Sequence, residues 1–356
     1  MNNMGDSLED PAPILLRHFR GHHGPITCLA YNHHSNKLAS SSTDKSVNLW
    51  NTDDRIRCFK FTGHSDAVNG VAWSHNGQLM ATASKDRTIK VWVPTVRGSS
   101  CNFPALSGVR SVEFHPKDRK LVTANEDKAV KLWSIETKRF LQSFLGHTNR
   151  VNCARYSPSG KTVASCSDDR TLKLFDVNSG DCVQTFAERG NVHGNDVAWH
   201  PDGSLVAVAL SNSQIKIFDR RACKLIQLYN VHLDAVNSIA FHPSGNLMIT
   251  GSEDGSTKVL DLLEGRPIYT LVGHDDAVTA VAFSGDGSDF ATASKDKQIM
   301  LWKLNMDILN ASDLSSAQPS IENDRNLENI LDTSVMIDPR KSVHYKYRPE
   351  EYDIIE

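Results

Sequence analysis

The sequence lacks the features that mark an enzyme active site, a metal site or a membrane segment. It has no Gly-rich phosphate loop of the G-x-x-x-x-G-K type and no H-E-x-x-H metal motif. No stretch approaches the ~20 apolar residues that cross a bilayer. Residues 1–13 are polar and acidic without an apolar run, so we expect no signal peptide. We therefore predict no metal, no cofactor, no small-molecule substrate and no membrane contact.

Cysteine is scarce and unpatterned. The count of seven is odd, and no two cysteines are spaced as C-x-x-C. Most of them stand beside apolar residues in strand-like runs, which predicts buried free thiols in a reducing compartment, the cytosol or the nucleus, rather than disulfides or zinc ligands. The seven are Cys28, Cys58, Cys101, Cys153, Cys166, Cys182 and Cys223.

Charge of one sign is also weak, because the formal net charge is only −3. Residues 305–356 carry a net charge of −6 and residues 1–12 a net charge of −3, which leaves residues 13–304 at about +6. This excess is small for a domain of that size and is typical of an ordinary mixed, solvated surface. It favours acidic partners only weakly, and we expect no binding of nucleic acid.

What the sequence does contain is an internal repeat. A large apolar residue ends each of seven units, at spacings of 41 to 43 residues, and a turn residue stands six positions before it. This period is that of a β-propeller blade. The end markers are Trp50, Trp92, Trp133, Phe175, Phe218, Leu260 and Trp302. The turn residues are Asp44, Asp86, Asp127, Asp169, Asn212, Asp254 and Asp296.

Each unit reads as short strands separated by turns. In the second unit the strands are expected at 68–73, 79–84 and 88–92, and a fourth strand precedes the next unit, as at 139–145. Four antiparallel strands per unit, packed radially, bury both sheet faces. The last unit lacks a fourth strand, and residues 14–19 supply a spare one, so we predict that they complete the last blade. The predicted domains are a disordered N-terminus (1–12), an all-β, seven-bladed propeller (13–304) and an acidic, flexible tail (305–356).

Five units carry His, Ser or Thr, and Asp in one fixed register, which invites comparison with a hydrolase triad. A catalytic triad needs one copy and one pocket, so five copies indicate a structural network, and we predict no catalytic residues. We expect the Asp to accept a hydrogen bond from the His, the His to bond the hydroxyl, and the hydroxyl to reach the Trp indole. The predicted structural residues are His22, Ser40, Asp44, Trp50, His64, Thr82, Asp86, Trp92, Thr123, Asp127, Trp133, His147, Ser165, Asp169, His232, Thr250, Asp254, His274, Thr292, Asp296 and Trp302.

Two units depart from this set. The third has Ala105 in place of the His, and the fifth replaces all four members. His193 stands three residues from the expected place in the fifth unit. We interpret it as a loop residue, with local substitution for the missing His as the alternative.

The turn residues and the Gly-His loops fall at the same end of every blade, so the side chains beside them form a rim around one mouth of the propeller. Loops on a rigid scaffold commonly carry binding residues, although for any single one an ordinary solvated residue is the simpler interpretation. Lys85, Arg110 and Arg150 form the predicted basic patch. The opposite rim and the outer strand edges stay open as alternatives. The candidate partner-binding residues are Lys85, Arg110, Arg150, Glu126, Asp168 and Lys295.

Residues 14–302, with their Gly-His, Asp and Trp positions, resemble the WD40-repeat family. The residue that follows each end marker varies. It is the aspartate typical of the family at Asp176, Asp219 and Asp261, and another residue in the other units. Within that family the chain is similar to the proteome-of-centriole (centriolar WD40) proteins. The similarity is carried by 241–246, by 260–266 with leucine in the tryptophan place, by 269–271 and 273–274, and by segments 155–174 and 198–219.

This resemblance implies a non-catalytic scaffold of centrioles and basal bodies, in the cytoplasm and cytoskeleton. It implies association with microtubules and support of centriole assembly, stability and length and of cilium formation. The implied partners are centriolar components and tubulin. That family typically carries a C-terminal coiled coil, but residues 305–356 hold no sustained heptads. The alternative is a WD40 adaptor in another complex, such as a ubiquitin ligase substrate receptor or a ribosome-assembly factor.

Overall fold

Short runs of alternating apolar and small residues form antiparallel strands in seven sheets of a computed structural model. The structure describes residues 12–52, 59–94 and 100–304, and the backbone of 342–344. Neighbouring sheets pack through their innermost strands in ring order, and the last packs against the first. The prediction of a seven-bladed, all-β propeller is confirmed.

The first strand, β1 (Ile14–Arg20), precedes blade one. Blade one is β2 (Ile26–Tyr31), β3 (Lys37–Ser42), β4 (Ser46–Asn51) and β5 (Phe59–Thr62). Blade two is β6 (Val68–Trp73), β7 (Met80–Ser84), β8 (Thr88–Trp92) and β9 (Ser100–Pro104). Blade three is β10 (Val109–Phe114), β11 (Lys120–Asn125), β12 (Val130–Ser134) and β13 (Arg139–Phe144). Blade four is β14 (Val151–Tyr156), β15 (Thr162–Ser167), β16 (Thr171–Asp176) and β17 (Cys182–Ala187).

Blade five is β18 (Gly194–Trp199), β19 (Leu205–Leu210), β20 (Gln214–Asp219) and β21 (Lys224–Asn230). Blade six is β22 (Val236–Phe241), β23 (Leu247–Ser252), β24 (Ser256–Asp261) and β25 (Arg266–Val272). Blade seven contributes β26 (Val278–Phe283), β27 (Asp289–Ser294) and β28 (Gln298–Lys303), and a short strand β29 (Ser342–His344) follows. The first-named strand of each blade lines the central channel, because these strands contact one another around the ring.

The ring closes as the sequence predicts, because β1 pairs antiparallel with β28 and supplies the fourth strand of blade seven. Leu15 stands opposite Trp302, and Phe19 stands opposite Ile299. Phe19 is buried and lies against the Trp50 ring of blade one, with ring centroids 5.2 Å apart. One side chain of the closing strand therefore joins the last blade to the first.

Apolar clusters lie between adjacent blades rather than within single sheets. One cluster joins Ile89 and Val91 of blade two to Val112 and Leu121 of blade three. Because each sheet is covered on both faces, isolated blades would expose large apolar areas to water, at a cost of about 25 cal/mol per Å². Burial of the core therefore requires neighbouring blades to pack against each other.

His-Pro turns latch successive blades at the mouth opposite the Gly-His loops. Nε2 of His115 donates to the Gly160 carbonyl of the next blade at 3.1 Å, and Nδ1 accepts the Asp118 amide at 2.8 Å. A Cβ at Gly160 would meet the His115 ring at 2.3 Å, so the latch requires glycine there. His200 and His242 bond Gly245 and Gly287 in the same way, at 3.1 and 3.2 Å. The His-Pro turns thus act between blades.

The tail prediction falls mostly outside the described residues. Of 305–356, only Ser342–His344 is described, as a parallel strand on the outer edge of blade six opposite Thr270, Leu271 and Val272. No sequence pattern indicated this pairing. Residues 1–11 also lie outside the described part, so the disordered and flexible segments at both ends stay predictions.

The thiol prediction was wrong in two places. Cys153 and Cys166 are buried and Cys28 and Cys101 are partly so, but Cys182 and Cys223 are exposed. These two lie at the start of an outer strand and in the turn before one, where one face meets solvent. In the described residues all six cysteines are free thiols, and Cys58 lies outside those residues.

Two further findings concern the described residues. Nowhere in 12–52, 59–94 and 100–304 do three or more His, Cys, Asp or Glu side chains group as metal ligands would. The same part of the chain holds no helix with the length and hydropathy of a bilayer span.

Candidate functional site

The His, Ser/Thr and Asp sets lie between strands at the Gly-His mouth. In blade two, His64 Nδ1 lies 2.8 Å from Asp86 Oδ2, and His64 Nε2 lies 2.7 Å from Thr82 Oγ1. The Trp92 indole donates to the same hydroxyl at 3.0 Å. A carboxylate only accepts, so Nδ1 carries the ring proton, and the Thr82 hydroxyl donates to Nε2. Hydrogen bonds therefore run in one direction, from the indole through the hydroxyl and the imidazole to the carboxylate.

Ionisation states support this direction. Burial lowers the pKa of His64, which keeps the ring neutral. Burial opposes ionisation of Asp86, but hydrogen bonds from the Thr88 hydroxyl, the Ser65 amide and His64 outweigh it and lower the pKa of the carboxyl. The carboxylate thus stays charged while four donors surround it, as a buried charge requires.

The other complete sets repeat this geometry. Distances from Nδ1 to the carboxylate are 2.8–3.1 Å, and distances from Nε2 to the hydroxyl are 2.7–2.8 Å. The five His side chains are 0–3% exposed. In blades four and six, Phe175 and Leu260 stand at the marker position and supply no indole donor. Rings this deeply buried offer no room for a substrate, so the sets stabilise the fold.

Lysine–carboxylate pairs occupy the two departing blades, and the sequence reasoning missed them. In blade three the Lys131 ammonium contacts Asp127 and donates to the carbonyl of Ala105, the residue that replaces the His, at 3.2 Å. In blade five Lys216 contacts Glu188, and both side chains are at most 18% exposed. Each lysine lies two residues before its end marker, but complete blades also have lysine there, so this position alone gave no signal. A buried polar network is thus replaced, not lost.

His193 lies in the loop before blade five. Its backbone amide donates to the Ser211 hydroxyl at 3.1 Å, and its ring makes no hydrogen bond with any described residue. The loop interpretation of His193 therefore fits the geometry, and local substitution for the missing ring does not.

Replacing Asp86 with alanine should lower the free energy of unfolding by about 1–3 kcal/mol, because it leaves the buried His64 ring and three backbone or hydroxyl donors without their acceptor. Urea denaturation of the purified chain measures the loss. Asp275→Ala, at an exposed loop position on the same mouth, should cost less than about 0.5 kcal/mol. Equal midpoints for the two variants would contradict the network.

A ring of polar side chains lines the channel just inside this mouth. The second residue of each innermost strand is Asn or Thr in six blades. Each donates to the backbone carbonyl of the first strand residue in the next blade, at 2.5–2.9 Å. The donors are Thr27, Asn69, Asn152, Asn195, Asn237 and Thr279, and their acceptors are Val68, Val109, Gly194, Val236, Val278 and Ile26. These bonds join blade to blade at six of the seven junctions.

Arg110 is the exception. It occupies this position in blade three, and it donates no hydrogen bond to the Val151 carbonyl of blade four among the described residues. It also lies in no ion pair within 4.0 Å in that part of the chain. Burial, and then the nearby Arg150, lower the pKa of its guanidinium. The predicted rim residue thus lies inside the channel mouth and not on a loop.

A second departure lies deeper in the channel. The fifth residue of the innermost strands is alanine in five blades, but Glu113 and Arg155 stand there in blades three and four. Arg155 lies 3.9 Å from Asp196, and the Tyr156 amide donates to Glu113. Burial raises the pKa of Glu113 to about 7, against the opposing effects of Arg155 and that amide. Charge therefore collects on one side of a channel of about 1050 Å³.

Glu113 should make stability depend on pH. Its folded pKa of about 7 lies above the unfolded value of 4.5, so the carboxyl favours folding while protonated and this contribution is lost as pH rises through 7. Glu113→Gln has no proton to lose. From pH 5 to pH 8 the unfolding free energy of the parent should fall by about 1–2 kcal/mol relative to Glu113→Gln, a value reduced because the side chain meets channel water. Parallel denaturation curves at both pH values would contradict this assignment.

The remaining rim residues are placed as follows. Arg150 pairs with Asp168 of its own blade, and Lys295 pairs with Glu253 of blade six. Lys85 and Glu126 are exposed and in no ion pair among the described residues. Because Arg150 is neutralised by Asp168, the predicted basic patch is weaker than its composition suggests. Lys85 and Arg110 are its free cations.

Comparison with known proteins assigns this architecture to a family. The family described as "WD domain, G-beta repeat" matches residues 14–51, 56–93, 100–134, 138–176, 223–261 and 265–303, which is more than half of the chain. The family described as "Anaphase-promoting complex subunit 4 WD40 domain" matches 187–236, in blade five. Propellers of this kind are in general non-catalytic and bind proteins.

Individual relatives are similar over parts of the chain. Human pre-mRNA-processing factor 17 is 31% identical over 136 residues, 37% of this chain and 23% of that protein. The small ribosomal subunit protein RACK1 of Caenorhabditis elegans is 34% identical over 121 residues, 33% of this chain and 36% of that protein. Protein tipD of Dictyostelium discoideum is 28% identical over 197 residues, 51% of this chain and 25% of that protein. These matches span about a quarter to a third of each relative, whereas the G-beta repeat matches cover six of the seven blades and the second family model covers blade five. The chain belongs to the WD40-repeat family.

Proposed function

We propose that this protein is a non-catalytic protein-interaction scaffold of centrioles and basal bodies. In that role it associates with microtubules and centriolar components and supports centriole assembly, stability and length and cilium formation. The scaffold part rests on one observation: the His, Ser/Thr and Asp side chains that resemble a catalytic triad form structural hydrogen bonds with one another. The observation that carries the centriolar part is the sequence of blade six.

The scaffold part follows from the buried sets. Every complete His–Ser/Thr–Asp set in the described residues is closed by its own hydrogen bonds, with the rings 0–3% exposed. Hydrolytic chemistry needs a nucleophile beside open space and donors aimed at a reacting oxygen. The side chains that remain free for contact lie on the rims and outer edges, which suits recognition of another protein.

The centriolar part draws support from where the blade-six signature lies. Residues 261–266 form a turn between β24 and β25, in which Asp261 accepts the amides of Leu263 and Glu264 at 2.7 and 3.1 Å. The side chain of Leu263 is 74% exposed. Packing does not demand leucine at such a position. The similarity to centriolar WD40 proteins therefore includes a surface feature that a partner could contact.

A second candidate is a WD40 adaptor in another complex, such as a ribosome-assembly factor or a ubiquitin ligase substrate receptor. The relative named as a small ribosomal subunit protein favours the ribosomal version, through a third of this chain. Affinity purification of the tagged chain separates the candidates, since ribosomal or ligase subunits would be recovered in place of centriolar ones.

Imaging tests the first proposal directly. The tagged protein should overlap centriole markers in dividing cells and basal-body markers in ciliated cells. Leu263→Ser should weaken this signal without unfolding the ring, because the side chain is exposed. Leu145→Ser, at a 71% exposed leucine between β13 and the next Gly-His pair, serves as the matched control. A wild-type protein that never overlaps the markers would overturn the centriolar assignment.

A further inference from the structure

We propose that Arg110 at the channel mouth is an anion-recognition residue that binds a carboxylate of an acidic protein segment. This inference deepens the rim-binding part of the proposed function and depends on it only for the class of partner. It is carried by the comparison of seven equivalent positions within one molecule.

The six equivalent positions show which side chains stabilise the propeller at this place. Asn or Thr there donates to the neighbouring blade across 2.5–2.9 Å and seals the junction. At the junction of blades three and four, Arg110 makes no such bond to Val151. This junction therefore lacks the inter-blade hydrogen bond found at the other six. The arginine does not stabilise the propeller in the way that Asn or Thr does, which points to a role in binding.

The guanidinium is available for a ligand. It lines the channel, is only partly exposed to solvent, and lies in no ion pair within 4.0 Å among the described residues. Asp168, the nearest rim carboxylate on blade four, is already held by Arg150 and by Asn152. A half-buried guanidinium with open donors matches the paired oxygens of a carboxylate.

Charges of both signs surround the Arg110 guanidinium. Burial, and then Arg150, lower the pKa of the Arg110 guanidinium, whereas the carboxylates of Asp168 and Glu126 raise it. An incoming carboxylate would relieve the repulsion by Arg150. Lys85 on blade two adds an exposed cation on the same rim, in no ion pair in the described chain. Lys85 and Arg110 are thus two cations that form no ion pair among the described residues and that an acidic partner can meet together.

The loop leading into Arg110 supplies an apolar contact. Leu106 is 85% exposed and has φ of 65°, a left-handed conformation that leucine rarely adopts. Among the described non-glycine residues with positive φ it is the only aliphatic one, the rest being chiefly polar residues in tight turns. Strain held at an exposed apolar side chain is typical of a contact site. The segment that fits this surface therefore carries an apolar residue beside its carboxylates.

Arg110→Asn is the decisive variant, because it installs the residue that four other blades use. The probe is a fluorescein-labelled peptide of six glutamates and one leucine, titrated with the purified full chain at low salt and followed by anisotropy. We expect Arg110→Asn to weaken binding at least fivefold while its melting temperature stays equal to the parent or rises. Arg87→Asn removes one exposed cation from a turn of the same rim, at φ 67°, which asparagine tolerates. It should change affinity less than twofold.

Several outcomes would overturn the proposal. Equal weakening by Arg110→Asn and Arg87→Asn would reduce the effect to overall charge, and parent-like binding by Arg110→Asn would exclude the residue. A lower melting temperature for Arg110→Asn would contradict the inferred exchange of an inter-blade bond. Stronger binding of single-stranded RNA than of the peptide would assign the site to nucleic acid. These measurements use purified protein, so absence from centrioles would sink the centriolar proposal without touching this one.

Discussion

Phe19→Ala is expected to lower the free energy of unfolding by about 3–5 kcal/mol, because it removes a buried aromatic ring from the seam that closes the propeller. Phe19 lies in a cluster with Ile26 and Trp50 of blade one and with Ile299 and Leu301 of blade seven. Phe19 is the residue that β1 contributes to this cluster. Loss of the phenyl ring therefore weakens both the closure of the propeller and the packing of its core.

Urea denaturation, followed by tryptophan fluorescence, measures this effect. Leu16→Ala is the matched control, since Leu16 lies on the same strand but is 40% exposed, and it should cost less than about 1 kcal/mol. A loss of comparable size in both variants would show that the strand acts through its backbone alone. If Phe19→Ala is as stable as the parent, the stability of the propeller does not depend on the contact of Phe19 with blade one.

Much of the fold followed from the sequence because its rules are local and repeated. The period of 41–43 residues between end markers sets the blade count, and the strands predicted at 68–73 and 88–92 have those bounds in the structure. The spare strand at residue 14 and the missing one after Trp302 fixed the closure. The direction of the His64 network was accessible for the same reason, because every buried polar atom needs a partner and the register leaves few choices.

What the sequence left hidden depends on comparison across blades in three dimensions. Lys216 and Glu188 are 28 residues apart, and no motif links them. Arg110 reads as a loop residue until the six inter-blade bonds show that its strand position faces the channel. The pairing of Ser342 with Thr270 joins positions about 70 residues apart through an outer edge that carries no sequence signature. Such long-range pairs are set by packing, which single-sequence periodicity does not encode.

Lys216→Ala is expected to lower the free energy of unfolding by about 2–4 kcal/mol. The Glu188 side chain is 11% exposed and Lys216 is its cation, so removal of the ammonium leaves a nearly buried carboxylate unpaired. The pair stands where other blades place a neutral His–Ser/Thr network. Blade five has Val208 at the hydroxyl position and Phe218 at the indole position, and neither side chain can donate a hydrogen bond to the carboxylate.

A double replacement distinguishes the net contribution of the ion pair to the free energy of unfolding from the destabilisation caused by removing one partner. Lys216→Met with Glu188→Leu removes both charges and keeps apolar volume, and it should recover most of the stability lost in Lys216→Ala. Arg266→Ala breaks the exposed pair with Glu264, whose side chains are 44% and 45% exposed, and should cost less than about 1 kcal/mol. If the double variant is as unstable as Lys216→Ala, the lysine stabilises blade five through its alkyl chain. If all three variants match the parent, the pair is not the substitute for the missing network.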